Sequence, residues 1–271
     1  PPQVPDLTAR QKTILERAVS MNRGDRLIAL GDLAAAFTNA IADIFDYTER
    51  RTRHLIQNLP EDRHSFTTWM DDDGGDGGDE VKLVATIYRQ KNNLVIDFEG
   101  SAPEARGGLN VSQSALRATV YYCVKALLDP DLMANDGMSR AIEIRAPLGS
   151  IVNPRPPAAC SARTITCQRL AGAIFGAFRP LLSIDRQLAS GNDTLTSISF
   201  SGRHPATGKL YVGGESMGGG GGARYDSDGM DGIHVHTTNS MNLPSELFEH
   251  EFPLEIEEYA LVSDSGGGGQ F

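Results

Sequence analysis

Apolar residues recur at three- and four-residue steps over residues 32–58. They are Leu33, Phe37, Ile41, Ile44, Phe45 and Leu55, joined by Thr48, while Glu49, Arg50, Arg51 and Arg53 take the far side. This spacing predicts an amphipathic helix, closed by Pro60. A shorter helical pattern covers 7–19, with Thr8 as its N-cap, behind a proline-rich lead-in over 1–5. A strand-like piece over 65–70 runs into an acidic, glycine-bearing loop over 71–80. Residues 81–89 and 94–98 are rich in β-branched side chains and flank Lys91-Asn92-Asn93, which predicts a hairpin. A helix is expected over 114–128, capped by Ser112 or Ser114 and ended by Asp129-Pro130, then a strand over 141–145. The nearly apolar stretch 164–182, rich in Ala and Gly, predicts a buried helix. Strands are expected over 194–200, 209–214, 232–238 and 252–262.

Helices therefore come first and strands dominate late, with no internal repeat and no regular βαβ alternation. The expected fold class is α+β: a mixed α/β arrangement with early helices and a largely antiparallel sheet in the last third. A helical segment over 1–60 and an α/β domain over 61–271 are the expected divisions.

Composition narrows the function. The 271 residues carry 25 Lys+Arg against 35 Asp+Glu, a formal net charge of −10. A polyanion would be repelled over most of such a surface, and no basic stripe with interleaved aromatics offsets this, so nucleic acid is excluded as a partner. No stretch approaches the roughly 18 apolar residues of a spanning helix, and no signal peptide opens the sequence. Cys123, Cys160 and Cys167 are too few and too scattered for a disulfide framework or a zinc knuckle. The reading is a reduced, cytoplasmic, globular protein. Glycine changes the picture: 29 residues, concentrated at 74–78, 213–222 and 266–269, where the backbone must turn sharply or approach something closely.

Four motifs bear on chemistry. Residues 74–81 match one copy of a calcium nonapeptide, but that motif binds calcium by stacking successive copies, so a solvated acidic loop is the reading here. Gly214-Glu215-Ser216-Met217-Gly218 fits the G-x-S-x-G elbow of serine hydrolases, with Asp231 and His236 downstream in the right order. An elbow must run straight into a helix, and the glycines that follow Ser216 oppose a helix start. Gly208-Lys209 lacks the spacing and the Ser/Thr of a phosphate loop and reads as a hairpin turn over 205–208. His234 and His236, two apart in an expected strand, would project from one face. With Asp228, Asp231, Glu249 and His250 they are candidates for a metal or acid–base site, against a plain structural role.

Taken in order, a further set of segments resembles the hydantoinase B family, which also forms the second half of ATP-dependent 5-oxoprolinases. The segments are Asp97-Phe98-Glu99-Gly100-Ser101, Gly107-Gly108-Leu109-Asn110, Asn135-Asp136-Gly137, Ala146-Pro147-Leu148-Gly149-Ser150 and Asn153-Pro154-Arg155-Pro156-Pro157-Ala158-Ala159. Later come 218–224, 228–236, 239–249 and Asp264-Ser265-Gly266-Gly267. The resemblance covers roughly residues 60–271.

It implies a subunit, or part of one, of an ATP-dependent hydrolase of cyclic amides such as hydantoins, 5-oxoproline or lactams. The alternative within the family is a carboxylase of ketones such as acetone or acetophenone. It implies a hetero-oligomer in which a hydantoinase A-type partner binds ATP and Mg, with a divalent metal held by a family N-terminal half that precedes Pro1. The sequence also stops at Phe271, before the family's arginine-glycine-glycine segment, and looks short between Asp25 and Phe45. Within the matching part, His234, His236 and Asn239 are the expected catalytic residues. Asn110, Arg163, Gly219, Gly220 and Arg224 are expected to bind substrate, the glycine loops by offering backbone N–H groups to an anion. A serine hydrolase using Ser216 and a non-catalytic assembly module are the alternatives from other classes.

Overall fold

The computed structural model describes residues 23–72, 78–187 and 189–263, with side chains placed from residue 31 onward. The expected helix over 7–19, the calcium-like loop at 74–77 and the glycines at 266–269 lie outside the described residues.

The amphipathic pattern of residues 32–58 folds as α1 (Arg23–Gln57). Only its last turns are docked: Thr48, Thr52 and Ile56 are buried, and Ile56 belongs to the same hydrophobic core as the sheet. Toward its start Phe37, Ile41 and Ile44 stay exposed.

The sheet follows as β1 (His64–Met70), β2 (Val81–Gln90) and β3 (Asn93–Asp97), all antiparallel neighbours. Lys91, with φ of 57°, makes the tight β2–β3 turn. Alternation then sets the faces: Leu83, Ala85, Ile87, Leu94 and Ile96 point into the core. From β3 the chain crosses through α2 (Gln113–Leu128) and the single-turn α3 (Asp136–Ser139). It returns as β4 (Ile142–Arg145), parallel to β3. Ser112 caps α2 by accepting the Ala115 N–H. Leu116, Thr119, Val120, Cys123, Val124 and Leu127 are its buried stripe.

The helix α4 (Arg163–Phe178) packs on β1, β2 and α2 and is buried nearly all round. It ends at Phe178, earlier than expected, because Pro180 turns the chain into a 3₁₀ segment over Arg179–Leu181. The last third contains β5 (Thr196–Arg203) and β6 (Leu210–Met217), an antiparallel pair forming its own two-stranded sheet. The hairpin turn between them closes through Gly208, φ 66°, whose N–H donates to the His204 carbonyl. An aromatic cluster of Phe200, Tyr211, Phe248 and Phe252 joins this hairpin to α5 (Ser245–Glu251), with Phe200 and Phe252 edge to face at 5.0 Å.

The α+β class holds, with a mixed four-stranded sheet and an antiparallel pair late in the chain. Two expected strands do not form. Residues 232–238 and 252–262 are irregular, and the backbone of the first is committed instead to the glycine run, Ile233 accepting the Gly220 N–H.

Candidate functional site

Between α4, β1 and the irregular segments after α4 lies a cleft of about 620 Å³. Its floor is one stripe of α4, where Arg169, Gly172 and Gly176 recur at steps of three and four, continued by Arg179 at the start of the 3₁₀ segment. The glycines are required by what faces them. A Cβ on Gly176 would stand 2.5 Å from the Phe66 ring of β1, and one on Gly172 would stand 2.3 Å from the Asp193 carboxylate. Arg169 is held by donating Nε–H to the Trp69 carbonyl at 3.1 Å and by facing Asp193 at 3.6 Å.

Backbone packs directly on backbone in the opposite wall. Ala189 N–H donates to Ala223 C=O at 3.0 Å, and Gly221 N–H to Met230 C=O at 2.8 Å. A Cβ on Gly218 would lie 2.3 Å from the Gly232 oxygen. The glycine run is therefore explained first by this sandwich. Gly220 lines the cleft with φ of 107°, but its N–H is spent on Ile233 at 3.0 Å, so it offers no donor to an anion. Gly219 is outside the lining and backs onto Asn192.

Arginine dominates the charge of the cleft: Arg169, Arg179, Arg186 and Arg224 against Asp193 and Asp228. Arg179 donates to Gln187 Oε1 at 3.2 Å and Arg186 to the Leu127 carbonyl. Arg224 is exposed, and its guanidinium makes no hydrogen bond or ion pair among the described residues. In a chain of net charge −10 this concentration of cations favours an anionic ligand at that point. Apolar walls from Phe66, Phe175 and Ile233 give the cleft room for a small ring.

Both histidines line the cleft, though not as neighbours on a strand face. The two ring nitrogens of His234 are sealed from solvent and have no hydrogen-bond partner among the described residues. An imidazole left so is short of about 1–3 kcal/mol per unsatisfied group, which a ligand would restore. His236 is held by the 2.8 Å contact of Nε2 with the Gln168 carbonyl and by the Phe175 ring, edge to face at 5.5 Å. Tyr122 lies on its other side at 6.1 Å, its phenol pushed up by burial and by the neighbouring Cys123. Burial also pushes the Cys123 and Cys167 thiols up, so both stay un-ionised in the core at neutral pH.

Besides Gly219, three expected site residues fall outside the cleft lining. Asn110 is fully buried away from the cleft, and its amide is consumed: Oδ1 accepts from Ala105 N–H, and Nδ2 donates to Ala105, Gly107 and Ala159 carbonyls. It staples a turn. Arg163 starts α4 and donates to the Cys160 carbonyl at 3.2 Å, outside the lining. Asn239 is exposed and likewise outside it. Reading by motif missed Arg169, Arg179 and Gln168. The charged stripe on an otherwise apolar helix was the signal for the two arginines.

Ser216 lies within β6, paired with Ser197, and the glycines after it form no helix, so the elbow geometry is not met. Gly208-Lys209 is a hairpin turn and not a phosphate cradle. Among the described residues no group of three or more His, Cys, Asp and Glu is placed to hold a metal, so Asp228, Asp231, Glu249 and His250 complete no metal-binding group with the histidines. No helix of the described residues is long and apolar enough to cross a membrane.

The fold and the cleft define an α+β domain with an arginine-bearing, imidazole-lined pocket for a small ligand. The model of the family described as hydantoinase B/oxoprolinase matches residues 22–271, and the chain belongs to that family. It is 32% identical over 255 residues to the 5-oxoprolinase PfmaA of Pestalotiopsis fici, an alignment that covers 90% of this chain and 19% of that protein. It is 30% identical over 203 residues to 5-oxoprolinase 1 of Arabidopsis thaliana, covering 74% and 15%. The fold matches that of the ATP-dependent caprolactamase from Pseudomonas jessenii with a TM-score of 0.71 at 22% identity, over 91% of this chain and 44% of the other. The chain thus spans less than a fifth of the length of either 5-oxoprolinase.

Proposed function

We propose that this chain forms part of a hydantoinase B-type subunit of an ATP-dependent cyclic amide hydrolase, acting on a hydantoin, 5-oxoproline or a related lactam. A hydantoinase A-type partner binds ATP and Mg in this reading, and a divalent metal is held by parts of the subunit outside the described residues. The need for ATP is the reason to assign the complex to the cytoplasm. The observation that carries the proposal is the family match over residues 22–271, together with a cleft that sets two imidazoles beside an apolar wall and a cluster of arginines.

The chemistry follows from the amide. Its oxygen is a poor leaving group, and phosphorylation converts it to a phosphate ester whose carbon accepts water. The ring packs on Phe66, Phe175 and Ile233, and Arg224 and Arg179 attract the anionic group. A rotation of the His234 side chain that brings its sealed nitrogens to the cleft lets it hydrogen-bond the ring, and His236 handles the proton of the attacking water.

Co-expression with a hydantoinase A-type subunit, followed by ADP release against hydantoins, lactams, and ketones with bicarbonate, tests the proposal. ADP release with a cyclic amide, reduced about a hundredfold or more in His236→Ala, is expected. Release dependent on a ketone and bicarbonate would assign the ketone carboxylase reaction instead. Turnover without ATP, with phosphonate labelling lost in Ser216→Ala, would overturn both.

A further inference from the structure

Gln168 sits in the middle of α4 with no exposed surface. A buried amide must place its donors and acceptor on partners. Its Oε1 accepts the Leu195 N–H at 2.8 Å, and its Nε2 donates to Thr238 Oγ1 at 2.6 Å. Its main-chain carbonyl accepts from His236 Nε2 at 2.8 Å. One buried residue therefore grips both segments that wall the cleft: the one leading into β5 and the one carrying the histidines.

The second grip straddles Thr237. That residue has φ of 59°, the left-handed region, where a β-branched side chain is strained by on the order of 1–3 kcal/mol. The bonds from Gln168 to His236 and to Thr238 lie on either side of it and hold the backbone against that preference.

A carbonyl oxygen only accepts, so the hydrogen of a neutral His236 must lie on Nε2. The lone pair is then on Nδ1, which makes no hydrogen bond among the described residues and belongs to a half-buried ring that lines the cleft. Resting on the assignment of this cleft as the reaction site, we infer that Gln168 is a positioning residue: it fixes His236 as the Nε2–H tautomer and leaves Nδ1 open to the cleft as its proton acceptor. As the water oxygen bonds to the amide carbon, Nδ1 takes a proton from that water. It returns the proton to the ring nitrogen as the C–N bond breaks, and the phosphoryl group stays on its oxygen as an acyl phosphate that a second water hydrolyses to the carboxylate and inorganic phosphate. The Gln168 carbonyl stabilises the imidazolium that exists between the two transfers.

The test combines ¹⁵N-histidine spectra of the chain, recorded where imidazole is neutral, with ATP-coupled turnover of the assembled complex. Wild type is expected to show His236 as a single Nε2–H tautomer. Gln168→Leu, and Thr238→Val should Gln168→Leu fail to fold, are expected to give a mixture of tautomers. With it comes a fall in kcat of about a hundredfold and little change in KM. Thr238→Ser keeps the hydroxyl and is expected to behave as wild type. An Nδ1–H tautomer in wild type, or a wild-type tautomer in Gln168→Leu or Thr238→Val, would overturn the inference. The spectra need no substrate, so a complex inactive on every amide would defeat the proposed reaction while the tautomer still decides the role of Gln168.

Discussion

The α-carbon of Gly222 lies so close beneath Ala189 that a methyl group on it would stand 1.9 Å from the Ala189 carbonyl oxygen. That oxygen is backbone and is held by the ladder of bonds between the two segments, including Ala189 N–H to Ala223 C=O. Gly222→Ala is expected to cost on the order of 1–3 kcal/mol by overpacking and to open the cleft. Gly208→Ala provides the contrast. Its φ of 66° carries a left-handed penalty of about 1–2 kcal/mol, but the space around it is empty. Thermal unfolding should rank the two, and ligand binding should be lost only in the first.

His234 makes the opposite prediction. Its sealed, unpartnered nitrogens are a cost to the free protein, so His234→Leu should raise stability by about 1 kcal/mol while abolishing turnover. A fall in melting temperature would show that the ring is paired in solution and remove it from the site.

Asn110 should behave in the reverse sense. Asn110→Ala strands the Ala105 N–H and three carbonyls in a buried turn, and a loss of about 2–3 kcal/mol is expected. Turnover per folded molecule should be unchanged. A specific fall in kcat at wild-type stability would return Asn110 to the substrate.

The docking of α1 should weaken in acid. Arg53, through its hydrogen bond, and then Arg140 hold the Glu49 carboxyl below its ordinary value, against the opposing effect of partial burial. A carboxylate depressed in the folded state contributes stability that is complete above the unfolded value and is lost as pH falls through the folded one. That window lies below about pH 4.5. Protection factors of residues 45–57, taken against the intrinsic exchange rate at each pH, should therefore fall on the acid side, and Glu49→Gln should flatten this dependence.

Periodicity made the β2–β3 hairpin, α2 and α4 legible because each buries a continuous face: the Leu116–Leu127 stripe and the alternation of β2 are sufficient instructions, and α1 shows its pattern although only its last turns are buried. One of the two failed strands has a physical cause in view. Residues 232–238 have the β-branched content of a strand, yet their backbone bonds go to a glycine run that no local pattern announces. For the site, motif membership brought His234, His236, Gly220 and Arg224 to one cleft, because the motifs adjoin there. Asn110 and Arg163 lie away from that cleft, at the turn and the helix start beside the motifs. Gln168 was invisible: a polar residue in an apolar helix reveals its partners only when Leu195 and Thr238 are seen beside it.

The uneven docking of α1 has a thermodynamic consequence. Its 35 residues form one ladder of backbone bonds, but Thr48, Thr52 and Ile56 are packed whereas Phe37, Ile41 and Ile44 meet water. A helix without a packed face is marginal at such lengths. The element is one helix in its geometry and two in its free energy. Its docked end unfolds with the domain, and its free end melts ahead of it, on a separate and shallower curve.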